Sequence, residues 1–204
     1  MKAKIFFFLT LVAGCTPGDP VIADYQGRLL EYGTEEPVFN ADVKLLKPVF
    51  SGPSGMGSYE TVWNGKTDQN GVFTTQWTEE MQLGYFVADS SYFDLGPSQA
   101  SWVESDQRMQ TFFLMGKSYL KLSIQDTGQI NNLAFFELFP FSPLQSSAIN
   151  VPVNSFPFYS SVFSNYPLSL SFRMHYLDGS QGAFTTQSFL TNSRGDTTEA
   201  VLYY

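Results

Sequence analysis

Apolar and polar residues alternate through much of this chain, and the alternation predicts strands. In Leu168-Ser169-Leu170-Ser171-Phe172-Arg173-Met174-His175-Tyr176 the period is two, as expected of a strand with one face buried. Tyr119 to Ile124 repeats it, with Leu120, Leu122 and Ile124 on one face. Ala41, Val43 and Leu45 alternate inward in the same way. Further strands are predicted over Tyr25 to Leu30, Asp42 to Lys47, Val72 to Trp77, Tyr85 to Ala88, Gln110 to Met115, Leu133 to Phe139, Phe184 to Leu190 and Thr198 to Tyr203. Helical periodicity is almost absent. Many short strands separated by Gly, Pro, Asn and Asp indicate an all-β protein of two tandem antiparallel β-sandwiches, or of one enlarged sandwich.

Three segments break the pattern. Pro48 to Gly65 and Ser90 to Gln107 read as long loops. Between Phe139 and Leu168, Pro140, Pro143, Pro152, Pro157 and Pro167 exclude a central strand, leaving a packed connection with at most an edge strand at Ile149 to Val153. Asp68-Gln69-Asn70-Gly71 reads as a turn, because an Asx side chain caps nearby amides and glycine accepts positive φ. Its rival, a calcium loop, lacks the third acidic position and the distal glutamate. The last strand, Glu199 to Tyr204, runs to the C-terminus and is expected to be tied into a sheet.

The first apolar run has a different character. Ile5-Phe6-Phe7-Phe8-Leu9-Thr10-Leu11-Val12 follows Lys2 and Lys4 and leads into Ala13-Gly14-Cys15. A positive n-region, a short apolar stretch and small residues before a cysteine resemble the lipobox signal peptide of bacterial lipoproteins. The resemblance implies cleavage before Cys15, a diacylglyceryl group on its sulfur and acylation of the new amino terminus. Residues 1–14 are then a signal peptide and 15–23, with Pro17, Gly18 and Pro20, a tether reaching about 20 Å. Thr16 after the cysteine resembles lipoproteins sent to the outer membrane, with periplasmic or external display left open. Cys15 is the only cysteine, so the chain has no intramolecular disulfide and its stability rests on its cores.

Punctuation in the first half carries a second resemblance. Gly27, Pro37-Val38-Phe39-Asn40-Ala41-Asp42-Val43-Lys44-Leu45, Thr67-Asp68-Gln69-Asn70-Gly71-Val72-Phe73 and Leu83-Gly84-Tyr85-Phe86-Val87 resemble the carboxypeptidase regulatory-like domain. That implies a transthyretin-like sandwich, usually an accessory or spacer module, over residues 24–116. Residues 117–204 then form a second sandwich, expected to be Ig-like.

Composition supports ordered domains: 20 Phe, 11 Tyr and 3 Trp stand beside only 15% charged residues. The formal charge of −8 becomes −10 without residues 1–14, so nucleic acid is not an expected partner. The expected partners are a membrane, through the lipid, and an envelope protein or glycan.

Catalytic constellations are hard to assemble from this inventory. His175 is the sole histidine and Cys15 is taken by lipid, which argues against zinc, cysteine and serine-histidine chemistry. On its strand His175 shares the polar face with Ser169, Ser171 and Arg173 and reads as an exposed histidine. Ser54 lacks the final glycine of a nucleophile elbow, and Gly55-Met56-Gly57 has no third glycine. Two-carboxylate glycoside chemistry survives, yet Glu35-Glu36 and Glu79-Glu80 are adjacent pairs that read as solvated turn charges. No catalytic residue, metal or cofactor is expected.

Aromatic residues in the two predicted loops, Tyr59 and Trp63 in the first and Tyr92 and Trp102 in the second, are the candidate ligand-binding residues. They could stack on sugars, or fold back over the sandwich ends. A sugar platform requires Trp63 and Trp102 to be exposed together. A third reading, a fimbrial or adhesin-like subunit, requires an open sheet edge near a terminus.

Overall fold

The computed structural model describes residues 24–50, 57–105, 107, 109–125, 132–139 and 147–203. Cys15, the leader and the tether lie outside the described residues, as does Ser54. Among the described residues there are fourteen strands, and the first seven are β1 (Asp24–Glu31), β2 (Asp42–Phe50), β3 (Gly57–Lys66), β4 (Val72–Gln76), β5 (Leu83–Val87), β6 (Ser101–Trp102) and β7 (Met109–Leu114). The second seven are β8 (Lys117–Gln125), β9 (Leu133–Leu138), β10 (Ile149–Pro152), β11 (Phe158–Phe163), β12 (Pro167–Tyr176), β13 (Thr185–Leu190) and β14 (Thr197–Tyr203). Among the described residues, no helix is long and apolar enough to cross a membrane.

Each group of seven builds one sandwich with its own core. In the first, sheet β4-β1-β7 faces sheet β3-β2-β5-β6. Tyr25, Leu29, Phe73 and Phe112 from one sheet meet Val43, Leu45 and Phe86 from the other, and the Phe86 and Phe112 rings lie 4.8 Å apart. Gly27 makes room for this cluster, since a Cβ there would stand 2.1 Å from Phe73 Cζ. In the second, β11-β8-β14 faces β10-β9-β12-β13 around Leu120, Leu122, Phe136, Leu138, Leu170, Phe172 and Leu202.

The two sandwiches share one topology. Counted within each group, the sheets read fourth-first-seventh and third-second-fifth-sixth in both halves. In both, the first strand is antiparallel to the fourth and parallel to the seventh. In both, a buried leucine of the first strand faces the seventh: Leu29 opposite Phe112, and Leu122 opposite Ala200.

Two expected loops are strands. β3 occupies most of the predicted loop Pro48 to Gly65 and pairs with β2 from Asp42↔Lys66 to Phe50↔Gly57. It lies at a sheet edge with both faces largely exposed, so its residues show no apolar alternation. β11 lies inside the proline-rich connection and pairs with β8 from Phe158↔Leu122 to Phe163↔Lys117. Pro157 and Pro167 flank it rather than interrupt it, which removes their objection. Among the described residues β14 pairs with β8 on one side only, at the edge of its sheet.

Local chemistry explains the turn between β3 and β4. Asp68 Oδ1 accepts hydrogen bonds from the Asn70 and Val72 amides at 2.8 Å each. Gly71 sits at φ +72°, and a Cβ there would meet Leu29 O at 2.4 Å, so only glycine fits.

Candidate functional site

The most densely bonded polar cluster lies where the two sandwiches meet. In β1 the inward positions run Tyr25, Gly27, Leu29 and Glu31, so the alternation that builds the core also carries a carboxylate inside. Glu31 is 1% exposed. Its Oε2 receives Arg194 Nε at 3.2 Å and the Tyr92 hydroxyl at 3.3 Å, while Oε1 accepts the Ser164 hydroxyl at 3.3 Å. A buried carboxylate persists only with such partners. The Arg194 guanidinium also lies 4.4 Å above the Tyr92 ring and donates to Ser91 Oγ at 3.4 Å.

Glu31, Ser91 and Tyr92 belong to the first sandwich, Ser164 and Arg194 to loops of the second. Backbone hydrogen bonds run alongside, from Lys117 N to Ser91 O at 2.7 Å, Ser164 N to Gly116 O at 2.9 Å and Gly195 N to Lys117 O at 2.8 Å. The Phe93 and Phe163 rings meet edge to face at 5.1 Å. Gly116 permits this closeness, because a Cβ there would stand 2.4 Å from Ser164 Oγ and 2.8 Å from Glu31 Oε1.

Electrostatics agree with a structural clamp. Burial, reinforced by the Glu31 charge, pushes the Tyr92 hydroxyl up to about 12. The hydrogen bonds from Ser91 hold the Asp89 carboxyl below its ordinary value. Glu31 has its oxygens occupied by an arginine and two hydroxyls, so the arrangement can join two bodies rather than abstract a proton.

The predicted aromatic residues differ in burial. Trp63 sits in β3 with its ring over the bare backbone of Gly65 and stacked on Phe73 at 5.9 Å, partly buried against the first core. Tyr92 is 6% exposed beneath Arg194, where it serves the junction. Both rings are less accessible than those of the other two candidates. Tyr59 and Trp102 remain exposed, at 44% and 70%.

His175 also departs from expectation. It points outward but stacks on Phe135 at 4.4 Å, and its Nε2 lies 3.0 Å from Glu137 Oε2, so its side chain is only 18% exposed. The cross-strand neighbours on β9 cover it, and they are invisible to a single-strand reading. Glu31 and Arg194 were missed altogether. The inward parity of Glu31 was the one available signal, whereas Arg194 lies in a loop whose partner is more than a hundred residues away. Among the described residues, no group of three His, Cys, Asp or Glu side chains could hold a metal.

Comparisons add the following. No family model and no curated protein matches the chain. Solved structures to which it is similar include the Bacillus anthracis TIE protein, at 11% identity and a TM-score of 0.32 over 89% of this chain, which spans only 33% of that one. A minor pilin of Streptococcus agalactiae has 10% identity and a TM-score of 0.33 over 89% of this chain and 94% of its own. A DUF3823 family protein from Bacteroides uniformis has 8% identity and a TM-score of 0.32, covering 84% and 99% respectively. The chain is thus an all-β protein of tandem sandwiches, described by its own geometry.

Proposed function

We propose that this chain is a lipid-anchored, non-catalytic component of a bacterial cell envelope, acting as a spacer or assembly element on an outer membrane. The observation that carries the reading is the run from Lys2 to Cys15, in which charge, apolar length and small residues stand in lipobox order. Acyl chains on one cysteine anchor a protein because each buried methylene contributes about 0.8 kcal/mol. The carboxypeptidase regulatory-like resemblance of residues 24–116 suits the same role, that of an accessory spacer. The clamp around Glu31 and Arg194 supports it, since a spacer transmits position only if its two bodies are braced.

The test is metabolic labelling of the full chain with a palmitate analogue, followed by membrane fractionation. The expected result is label on the wild-type chain in the membrane fraction, and loss of both label and membrane association in Cys15→Ser. An unlabelled wild-type chain in the soluble fraction would overturn the reading.

A further inference from the structure

Strand direction divides the exposed aromatic residues between the ends of the first sandwich. β1 begins at Asp24, pairs with the end of β4 at Gln76 and runs toward Glu31 and the junction. The start of β2 lies beside the end of β1, where Val38 N donates to Leu29 O, so β2 runs the opposite way and Phe50 with its partner Gly57 lies at the end where β1 starts. The start of β5, Trp102 in β6 and the start of β7 lie there too. A chain of hydrogen bonds confirms the neighbourhood: Gln110 Nε2 donates to Trp102 O at 2.7 Å, and Tyr25, next to Asp24, donates to Gln110 Oε1 at 2.7 Å.

This end carries four exposed apolar or amphipathic side chains. Phe50 is 77% exposed, Trp102 70%, Met109 49% and Tyr59 44%. Two of them ride on a projecting ribbon. β5 pairs with β2 only from Asp42 to Leu46, whereas β3 continues to pair through Phe50. Lys47–Phe50 and their partners therefore extend as two strands about 13 Å past the sheet.

We infer that this end is a membrane-docking face, with Phe50, Tyr59, Trp102 and Met109 seated in the interfacial layer of a lipid bilayer. The inference rests on the anchoring reading above, because the occupant is fixed by the chain that leads into Asp24. With Cys15 in the bilayer, nine residues allow this end to stand no more than about 30 Å away. The face thus meets lipid at the high local concentration that a short linker confers, so weak apolar contacts suffice. Trp and Tyr suit the layer between headgroup and hydrocarbon, with an apolar ring and a polar tip.

Charge narrows the lipid. Lys47 on the ribbon is paired with Glu80 at 2.9 Å, while Glu60, Glu79 and Glu104 lie exposed around it. Among the described residues no free cationic cluster is presented there, so the face fits a neutral phosphatidylcholine surface through apolar contact.

The test uses the acylated chain in phosphatidylcholine vesicles carrying brominated acyl chains, which quench tryptophan on contact. Trp102→Phe, a change at an exposed site, isolates the Trp102 emission by difference from Trp63 and Trp77. The expected result is that the Trp102 component loses most of its intensity and shifts to the blue, and that Phe50→Ser weakens the quenching while the mass added by acylation stays the same. A Trp102 component indifferent to brominated lipid would overturn the proposal. So would protection of Trp102 from aqueous acrylamide before vesicles are added, which would mean that protein covers the face. Mass spectrometry on the same sample separates the two readings: a chain without acyl groups refutes the anchoring, and the docking face falls with it only if the unanchored chain also shows no quenching at high vesicle concentration.

Discussion

Replacing Arg194 with methionine keeps most of the side-chain stem and removes the charge that Glu31 faces. The Glu31 side chain is 2% exposed, so the variant leaves a carboxylate buried with only the Tyr92 and Ser164 hydroxyls as donors. Breaking a buried ion pair from one side costs about 3–5 kcal/mol. Here the Arg194 side chain is 32% exposed, so water reaches the pair and the expected loss falls to about 2–3 kcal/mol. Replacing both partners, Glu31→Leu with Arg194→Met, should restore most of that loss, because no charge is then stranded. Urea unfolding is the assay, and the chain supplies two independent probes. Trp63, Trp77 and Trp102 all lie in the first sandwich, so tryptophan emission follows that body alone while far-UV circular dichroism follows both. The two transitions should coincide in the wild-type chain and separate in Arg194→Met. An unchanged midpoint together with coincident transitions in the variant would refute the clamp.

Three further outcomes follow from the same geometry. Gly116→Ala forces a methyl group against Ser164 Oγ and Glu31 Oε1 and should cost about 1–3 kcal/mol, read as a lower urea midpoint. Asp68→Ala removes the acceptor for two turn amides and should cost about 1 kcal/mol, whereas Asp68→Asn, which keeps an acceptor oxygen, should lose much less. The phenols of Tyr92 and Tyr85 are both raised to about 12, chiefly by burial, so the folded state holds their protons more tightly than the unfolded chain does. The contribution of these phenols should be constant below pH about 10 and fall as the pH rises from about 10 to about 12, followed by tyrosinate absorbance, with a smaller fall in Tyr92→Phe.

Alternation made most of the fold legible. Where one face of a strand is buried, as in β8 and β12, the period of two is written directly in the residues. β3 was not legible because an edge strand exposed on both faces has no reason to alternate. β11 was obscured by prolines that turn out to bound it. The repeated topology was hidden for a different reason. The paired strands carry unlike residues: buried Leu29 faces Phe112 in the first sandwich, whereas buried Leu122 faces Ala200 in the second. Pairing geometry survives such exchanges while sequence similarity does not. The junction was legible only as a misplaced charge: a glutamate on an inward position signals a partner without naming it.

The parallel pairing of first and last strand in each sandwich has a mechanical meaning. A pull on the N-terminal tether resisted at the C-terminus enters the first sandwich at Asp24 and leaves it at Leu114, then enters the second at Lys117 and leaves it at Tyr203. In both cases the load runs along strands joined side by side, from Gln26↔Met109 to Glu31↔Leu114 and from Thr197↔Tyr119 to Tyr203↔Gln125. Tension along such a pair shears every hydrogen bond of the ladder together, whereas an antiparallel pair gripped at one end would unzip bond by bond. Tension applied along the chain would therefore meet the same parallel ladder twice in series.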